Sequence, residues 1–83
     1  MATSVLKQKA TYELSVLGLR CPEPMMLMRK KMRTMNVGES LLLITDDAAT
    51  LRDIPDYCRF MEHTLIESHT SDSPFLFLLQ KEG

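Results

Sequence analysis

Met25, Met28, Met32 and Met35 recur at i, i+3, i+7 and i+10. At about 100° per residue they fall within an arc of roughly 80°, the apolar stripe of an amphipathic helix. The stripe begins directly after Pro22 and Pro24 and ends before Asn36 and Gly38, with Gly38 a candidate left-handed cap. The pattern predicts a helix from about residue 24 to 36. Arg29, Lys30 and Arg33 share a different arc of that helix, with Met26 projecting from its middle.

What flanks the helix narrows the fold. Residues Thr11 to Leu17 alternate loosely, with Tyr12, Leu14 and Val16 on one face of a strand. Ser40 to Thr45 (SLLLIT) is a continuous apolar run, as in a strand covered on its inner face by helices. Asp46 or Asp47 can cap a helical turn through Ala48 to Arg52. Pro55 predicts a break and a fresh start, with Asp53 as cap and Pro55 in the first turn. Ile54, Tyr57, Cys58 and Met61 then share one face. Thr64 to His69 and Phe75 to Gln80 read as a hairpin across the turn Ser71-Asp72-Ser73-Pro74. The order β-α-β-α-β-β predicts a two-layer α/β sandwich: a four-stranded mixed sheet with both helices on one face.

At 83 residues there is room for one core only, so a single domain is expected over 11–83 after a flexible polar tail, residues 1–10. A hydrophobic share of 45% is too high for a disordered chain. The net charge of -1 is divided: residues 1–34 carry seven Lys/Arg against two acids, residues 35–83 three against nine. Direct nucleic-acid binding is disfavoured without an overall basic excess. The basic half suits a face presented to acidic partners or a solvated helix face. The segment MATSVLKQKATYEL lacks the apolar core of a signal peptide, and no run approaches the roughly 18 apolar residues of a spanning helix. A cytoplasmic setting without membrane partners follows as the expectation, with Cys21 and Cys58 as free thiols. These two cysteines, with only His63 and His69 to assist them, match no common metal spacing.

The chemistry is concentrated in Leu17-Gly18-Leu19-Arg20-Cys21-Pro22-Glu23-Pro24. Gly18 permits a sharp turn. Residues before proline avoid the α region, so Cys21 and Glu23 are expected to be extended. Pro24 is preset for the first helical position. Cys21 is thus expected on a stiff connection beside the positive end of a helix whose first turn has unpaired N–H groups. That end and the neighbouring Arg20 favour the thiolate, the nucleophile of disulfide and persulfide chemistry. A small residue at a loop–helix junction is the competing reading of Cys21. There is no CxxC pair, no G-x-S-x-G elbow and no Cys–His–Asn pattern.

The run LGLRCPEPMMLMRK resembles the signature of the TusA (SirA-like) family of small sulfur carriers, in which a CPxP motif opens the first helix. The likeness continues through VGESLLLITDD and AATLRDIPDYCRFMEHTLIE and covers roughly residues 12 to 80. Ser15 departs from it, since relatives often carry an acidic residue ahead of the glycine turn. The resemblance implies a sulfurtransferase working in a relay. It would accept sulfane sulfur from a pyridoxal-phosphate cysteine desulfurase and pass it to a downstream relay complex. On this chain Cys21 would be the persulfide carrier, with Gly18, Arg20, Pro22, Glu23 and Pro24 shaping the motif. The chain itself would need no cofactor. In part of the family the route leads to 2-thiolation of a tRNA wobble uridine, with tRNA the eventual product and not a direct ligand, while related members feed molybdenum-cofactor assembly or sulfur oxidation. Alternatives are supply to molybdenum-cofactor assembly, a non-catalytic regulatory interaction domain, and a thiol-redox regulator.

The remaining polar residues have plainer readings. Cys58 lies on an apolar stripe and reads as a core thiol, and His63 as a helix-end residue. Asp46, Asp47, Asp53 and Asp56 read as caps and a solvated face. Met26 within the rim of Arg29, Lys30 and Arg33 is the candidate partner-binding surface.

Overall fold

The computed structural model describes residues 8–82; the expected tail lies outside that range over residues 1–7. The elements are strand β1 (Tyr12–Ser15), helix α1 (Glu23–Thr34), strand β2 (Ser40–Thr45), helix α2 (Thr50–Phe60), strand β3 (Thr64–His69) and strand β4 (Phe75–Gln80). They form one four-stranded sheet in the order β1-β2-β4-β3. β1 runs parallel to β2, while β4 is antiparallel to both β2 and β3. This is the expected mixed α/β sheet.

The register explains the core. Tyr12 and Leu14 pair with Leu41 and Leu43, which pair in turn with Leu79 and Phe77. These side chains form one face with Val16 and receive Met28, Met32 and Met35 from the α1 side and Ile54 and Cys58 from α2. Both helices therefore cover the same face. Burial of each such aliphatic or aromatic side chain contributes about 1.5–3 kcal/mol. Met25 is only partly buried at the edge of this stripe, and Met61 lies half-exposed beyond the end of α2.

The opposite face is also apolar at its centre. Leu42, Leu76 and Leu78 are buried there, with Ala10 and Ile44 packed against them. Lys9 reaches across to Glu67 of β3 at 2.8 Å. Residues 9 and 10 of the expected tail are thus tied to the sheet. β2 is buried on both faces, which goes beyond the inner-face cover expected from its apolar run.

Two helix boundaries differ from expectation. α2 is continuous through Pro55, with no restart at Asp53. Its first turn is wound by i→i+3 bonds, Thr50 N–H to Asp47 C=O, Leu51 to Ala48 and Arg52 to Ala49, before Asp53 N–H bonds Ala49 C=O. Asp47 supports this turn by accepting the Ala49 N–H at 3.2 Å. Thr50, Ile54 and Cys58 fall on one buried stripe, and their packing outweighs the bond that Pro55 forgoes. At the other boundary, Gly38 has φ +93° but sits in the turn after α1 and does not cap it. The end of α1 is held instead by Lys81, whose Nζ donates to Met32 C=O at 2.8 Å and Met35 C=O at 2.7 Å.

α2 ends in a left-handed cap at Glu62, φ 60°. His63 N–H bonds Cys58 C=O and Glu62 N–H bonds Arg59 C=O, the paired bonds of a Schellman motif. His63 Nδ1 accepts the Glu82 N–H at 3.0 Å, so this histidine has a structural role.

Candidate functional site

The CPxP segment lies between β1 and α1, and the chain reverses through Gly18 at φ +83°. Leu19 N–H bonds Val16 C=O at 3.2 Å, and Glu23 N–H bonds Arg20 C=O at 3.0 Å. Cys21 and Pro22, joined by a cis peptide bond, are the central residues of that second turn. Cys21 is exposed.

Pro22 is the N-cap of α1, Glu23 its first residue and Pro24 its second. Two expectations shift accordingly. Glu23 is helical, because its N–H closes the turn onto Arg20, and Pro24 stands one position later than expected. The first-turn donors are also largely used. Glu23 N–H goes to Arg20 C=O, Pro24 has none, and Met26 N–H goes to Pro22 C=O. The Met25 N–H alone in this turn lacks an acceptor among the described residues.

Two carboxylates from the end of β2 hold the segment, a role beyond the capping and solvent-facing ones expected of them. Asp46 Oδ1 accepts the Gly18 N–H at 3.0 Å and the Arg20 guanidinium at 2.9 Å. The Gly18 N–H first and Arg20 second hold the Asp46 carboxyl below the usual carboxylate range. Arg20 is therefore directed to Asp46 and to its neighbour's carbonyl, Leu19 C=O at 2.9 Å. Asp47 Oδ2 accepts the N–H of Cys21 itself at 2.8 Å. The signal that marks both acids is Asp46-Asp47 at the C-terminal end of a parallel strand, next to the loop that leaves the neighbouring strand.

Beyond Cys21, the exposed surface of α1 brings together Met26, Leu27, Arg29, Lys30 and Arg33 along one groove. The four expected partner-binding residues are thus adjacent, and the half-exposed Leu27 joins them. Arg29, Lys30 and Arg33 have no ion-pair partner among the described residues. Lys31 is separate, lying 4.1 Å above the Tyr12 ring. On the other flank, Met25, Asp53, Asp56, Tyr57, Arg59, Phe60 and Glu62 line an acidic groove between the helices. Phe60 is 86% exposed there.

Cys58 contrasts with Cys21. It is 3% exposed, and burial pushes its thiol up to about 11. It is neutral at pH 7 and packed in the core. Among the described residues no group of three or more His, Cys, Asp or Glu is placed to hold a metal ion. No helix among them is long and apolar enough to cross a membrane.

An exposed thiol in a braced turn at the start of a helix, on a domain with open grooves along its helices, marks a small α/β domain that presents one accessible cysteine. The chain belongs to the sulfurtransferase TusA family, whose family model matches residues 12–81. A sulfur carrier acting in a relay with other proteins is the general role of that family, and the expected resemblance is borne out at this level.

Proposed function

We propose that Cys21 carries the sulfur as a persulfide. The observation that carries this reading is the exposed Cys21 at the CPxP turn, in a family of sulfurtransferases. The Cys21 thiolate attacks the outer sulfur of a donor cysteine persulfide. A bond forms between Cys21 Sγ and that sulfur while the donor S–S bond breaks, and the donor cysteine leaves with the electron pair as a thiolate. No net oxidation occurs, and the proton of the outer sulfur stays on it or passes to solvent.

The donor in this proposal is a pyridoxal-phosphate cysteine desulfurase, and the acceptor is a downstream sulfur-relay complex. The RDIP and FMEH segments (residues 52–55 and 60–63) support a place beside the family's namesake sulfurtransferase. Its route ends in 2-thiouridine at the tRNA wobble position, a cytoplasmic pathway. Gly18, Arg20, Pro22, Glu23 and Pro24 shape the carrier turn. Met26, Arg29, Lys30 and Arg33 dock the acidic surface of a partner.

Incubation with a cysteine desulfurase and cysteine tests the first step. Intact-mass measurement is expected to show a gain of one sulfur, about 32 Da, that disappears in Cys21→Ser. The basic groove, whose Arg29, Lys30 and Arg33 have no ion-pair partner among the described residues, favours one competing reading, a docking domain with an incidental cysteine, for which no adduct forms. Thiolation analysis of tRNA from a deletion strain tests the destination: normal 2-thiouridine would redirect the sulfur to another pathway.

A further inference from the structure

Asp47 stands out because every one of its polar atoms is fixed. Its N–H donates to Thr45 Oγ1 at 3.2 Å, and its C=O accepts the Thr50 N–H and the Thr50 hydroxyl. Carboxylate Oδ1 accepts the Ala49 N–H at 3.2 Å, and Oδ2 accepts the Cys21 N–H at 2.8 Å. The residue is 8% exposed, Thr45 is 0% and Thr50 is 1%. A carboxylate pinned in this way cannot swing with the solvent. It transmits the rigidity of β2 and the start of α2 to a residue 26 positions away in sequence.

The neighbouring Asp46 does a different job. Its carboxylate is partly exposed and holds Gly18 and Arg20, the residues that lead into the turn. Of the two carboxylates, only Asp47 is hydrogen-bonded to the backbone of the carrier cysteine. The bond is charge-assisted and short, and it constrains the amide plane from which the Cys21 side chain projects.

We infer that Asp47 is the positioning residue of the sulfur transfer: by gripping the Cys21 N–H, its buried carboxylate fixes where the Cys21 sulfur stands when a partner's persulfide docks beside α1. The inference rests on the proposed carrier role and adds a residue to it. Displacement at sulfur needs the attacking thiolate in line with the S–S bond being broken. A thiol on a loose loop meets that geometry rarely, whereas one held from behind meets it each time a partner docks. Asp47 makes no contact with the donor sulfur in this account. It acts through Cys21.

The test uses the full chain with Asp47→Ala, Asp47→Asn and Asp46→Ala, and reads three quantities. One is the limiting rate and the KM of single-turnover sulfur loading from a desulfurase persulfide. Another is hydrogen exchange at the Cys21 N–H compared with Leu43 and Phe77 in the core. The third is alkylation by iodoacetamide, a small reagent that approaches from any direction. Asp47→Ala is expected to lower the limiting rate roughly 10- to 100-fold with KM within about twofold. The Cys21 N–H loses protection, Leu43 and Phe77 keep theirs, and alkylation is not slowed. Asn has one side-chain oxygen, which can serve Cys21 or Ala49 but not both. Asp47→Asn is therefore expected to recover transfer and Cys21 protection together and in part. Asp46→Ala should affect the limiting rate less than Asp47→Ala.

A wild-type limiting rate in a folded Asp47→Ala protein overturns the inference. So does slowed transfer with Cys21 protection unchanged. If Asp47→Ala does not fold, Asp47→Asn decides: full transfer without Cys21 protection overturns the inference, and joint partial loss supports it. Absence of loading on wild-type protein contradicts the carrier role itself. In that event protection of the Cys21 N–H still reports whether Asp47 holds the turn.

Discussion

Cys21 and Cys58 are the same residue in two opposite settings. Cys58 is surrounded by core side chains on a continuous helix, and burial keeps its thiol protonated. Cys21 has no such packing. It is exposed, and its position comes from hydrogen bonds between loops: the turn from Arg20 to Glu23 and the carboxylate of Asp47. Apolar burial makes a thiol inert, while directed polar contacts to its backbone leave the sulfur open and still hold it in place. A small carrier can place a reactive atom without a pocket by using the second device.

The sharpest break between the two regions comes from exchanging their sulfurs for oxygen. Cys21→Ser is expected to abolish sulfur loading while stability stays within about 0.5 kcal/mol, measured by urea denaturation. Cys58→Ser buries a hydroxyl among apolar side chains and should cost about 1–3 kcal/mol with loading retained. Loss of loading in folded Cys58→Ser protein would show that the core thiol takes part in the chemistry.

Met28→Ala probes the core side of the comparison. Met28 is fully buried between α1 and the sheet, so its truncation should destabilise by about 2–5 kcal/mol. At temperatures where that variant is still folded, Cys21 should load at the wild-type rate. A slowed rate in the folded variant would mean that core packing, and not the polar brace, sets the sulfur's position.

Acid should loosen the other side first. The Asp46 carboxyl is depressed in the folded protein by the Gly18 N–H and Arg20. Its contribution is therefore present above the ordinary carboxylate range and is lost as pH falls through the depressed folded value. In an NMR titration downward from neutral pH, the Gly18 amide is expected to shift with Asp46 protonation before the Phe77 amide responds. Simultaneous movement of both would merge the two regions into one cooperative unit. The smallest effect lies at the end of α2, where Glu62 holds φ 60° without a glycine. Glu62→Gly should stabilise by about 0.5–1 kcal/mol and leave the Cys21 turn unchanged. Thermal unfolding and the Cys21 amide shift check both halves.

The division between the cysteines was partly legible in the sequence. Methionine spacing placed α1, loose alternation placed β1, an unbroken apolar run placed β2, a turn signal placed the β3–β4 hairpin, and Cys58 fell on the buried stripe with Ile54, because these signals are local. Local rules failed where distant chain decided the outcome. Pro55 stays inside α2 because Ile54 and Cys58 pack on the sheet. The end of α1 is held by Lys81, 46 positions beyond Met35. Asp46 and Asp47 looked like ordinary caps, and Asp47 does support the first turn of α2. Their grip on Gly18, Arg20 and Cys21 depends on β1 and β2 lying side by side, which no spacing in the sequence records.

The most direct test of the central claim locates the sulfur within the molecule. Wild-type protein loaded by a cysteine desulfurase is digested with trypsin, and the two cysteine peptides, residues 21–29 and 53–59, are compared by tandem mass spectrometry. The added sulfur is expected on Cys21 alone, with Cys58 recovered as an unmodified thiol. Sulfur on Cys58, or divided between the two, would contradict the account.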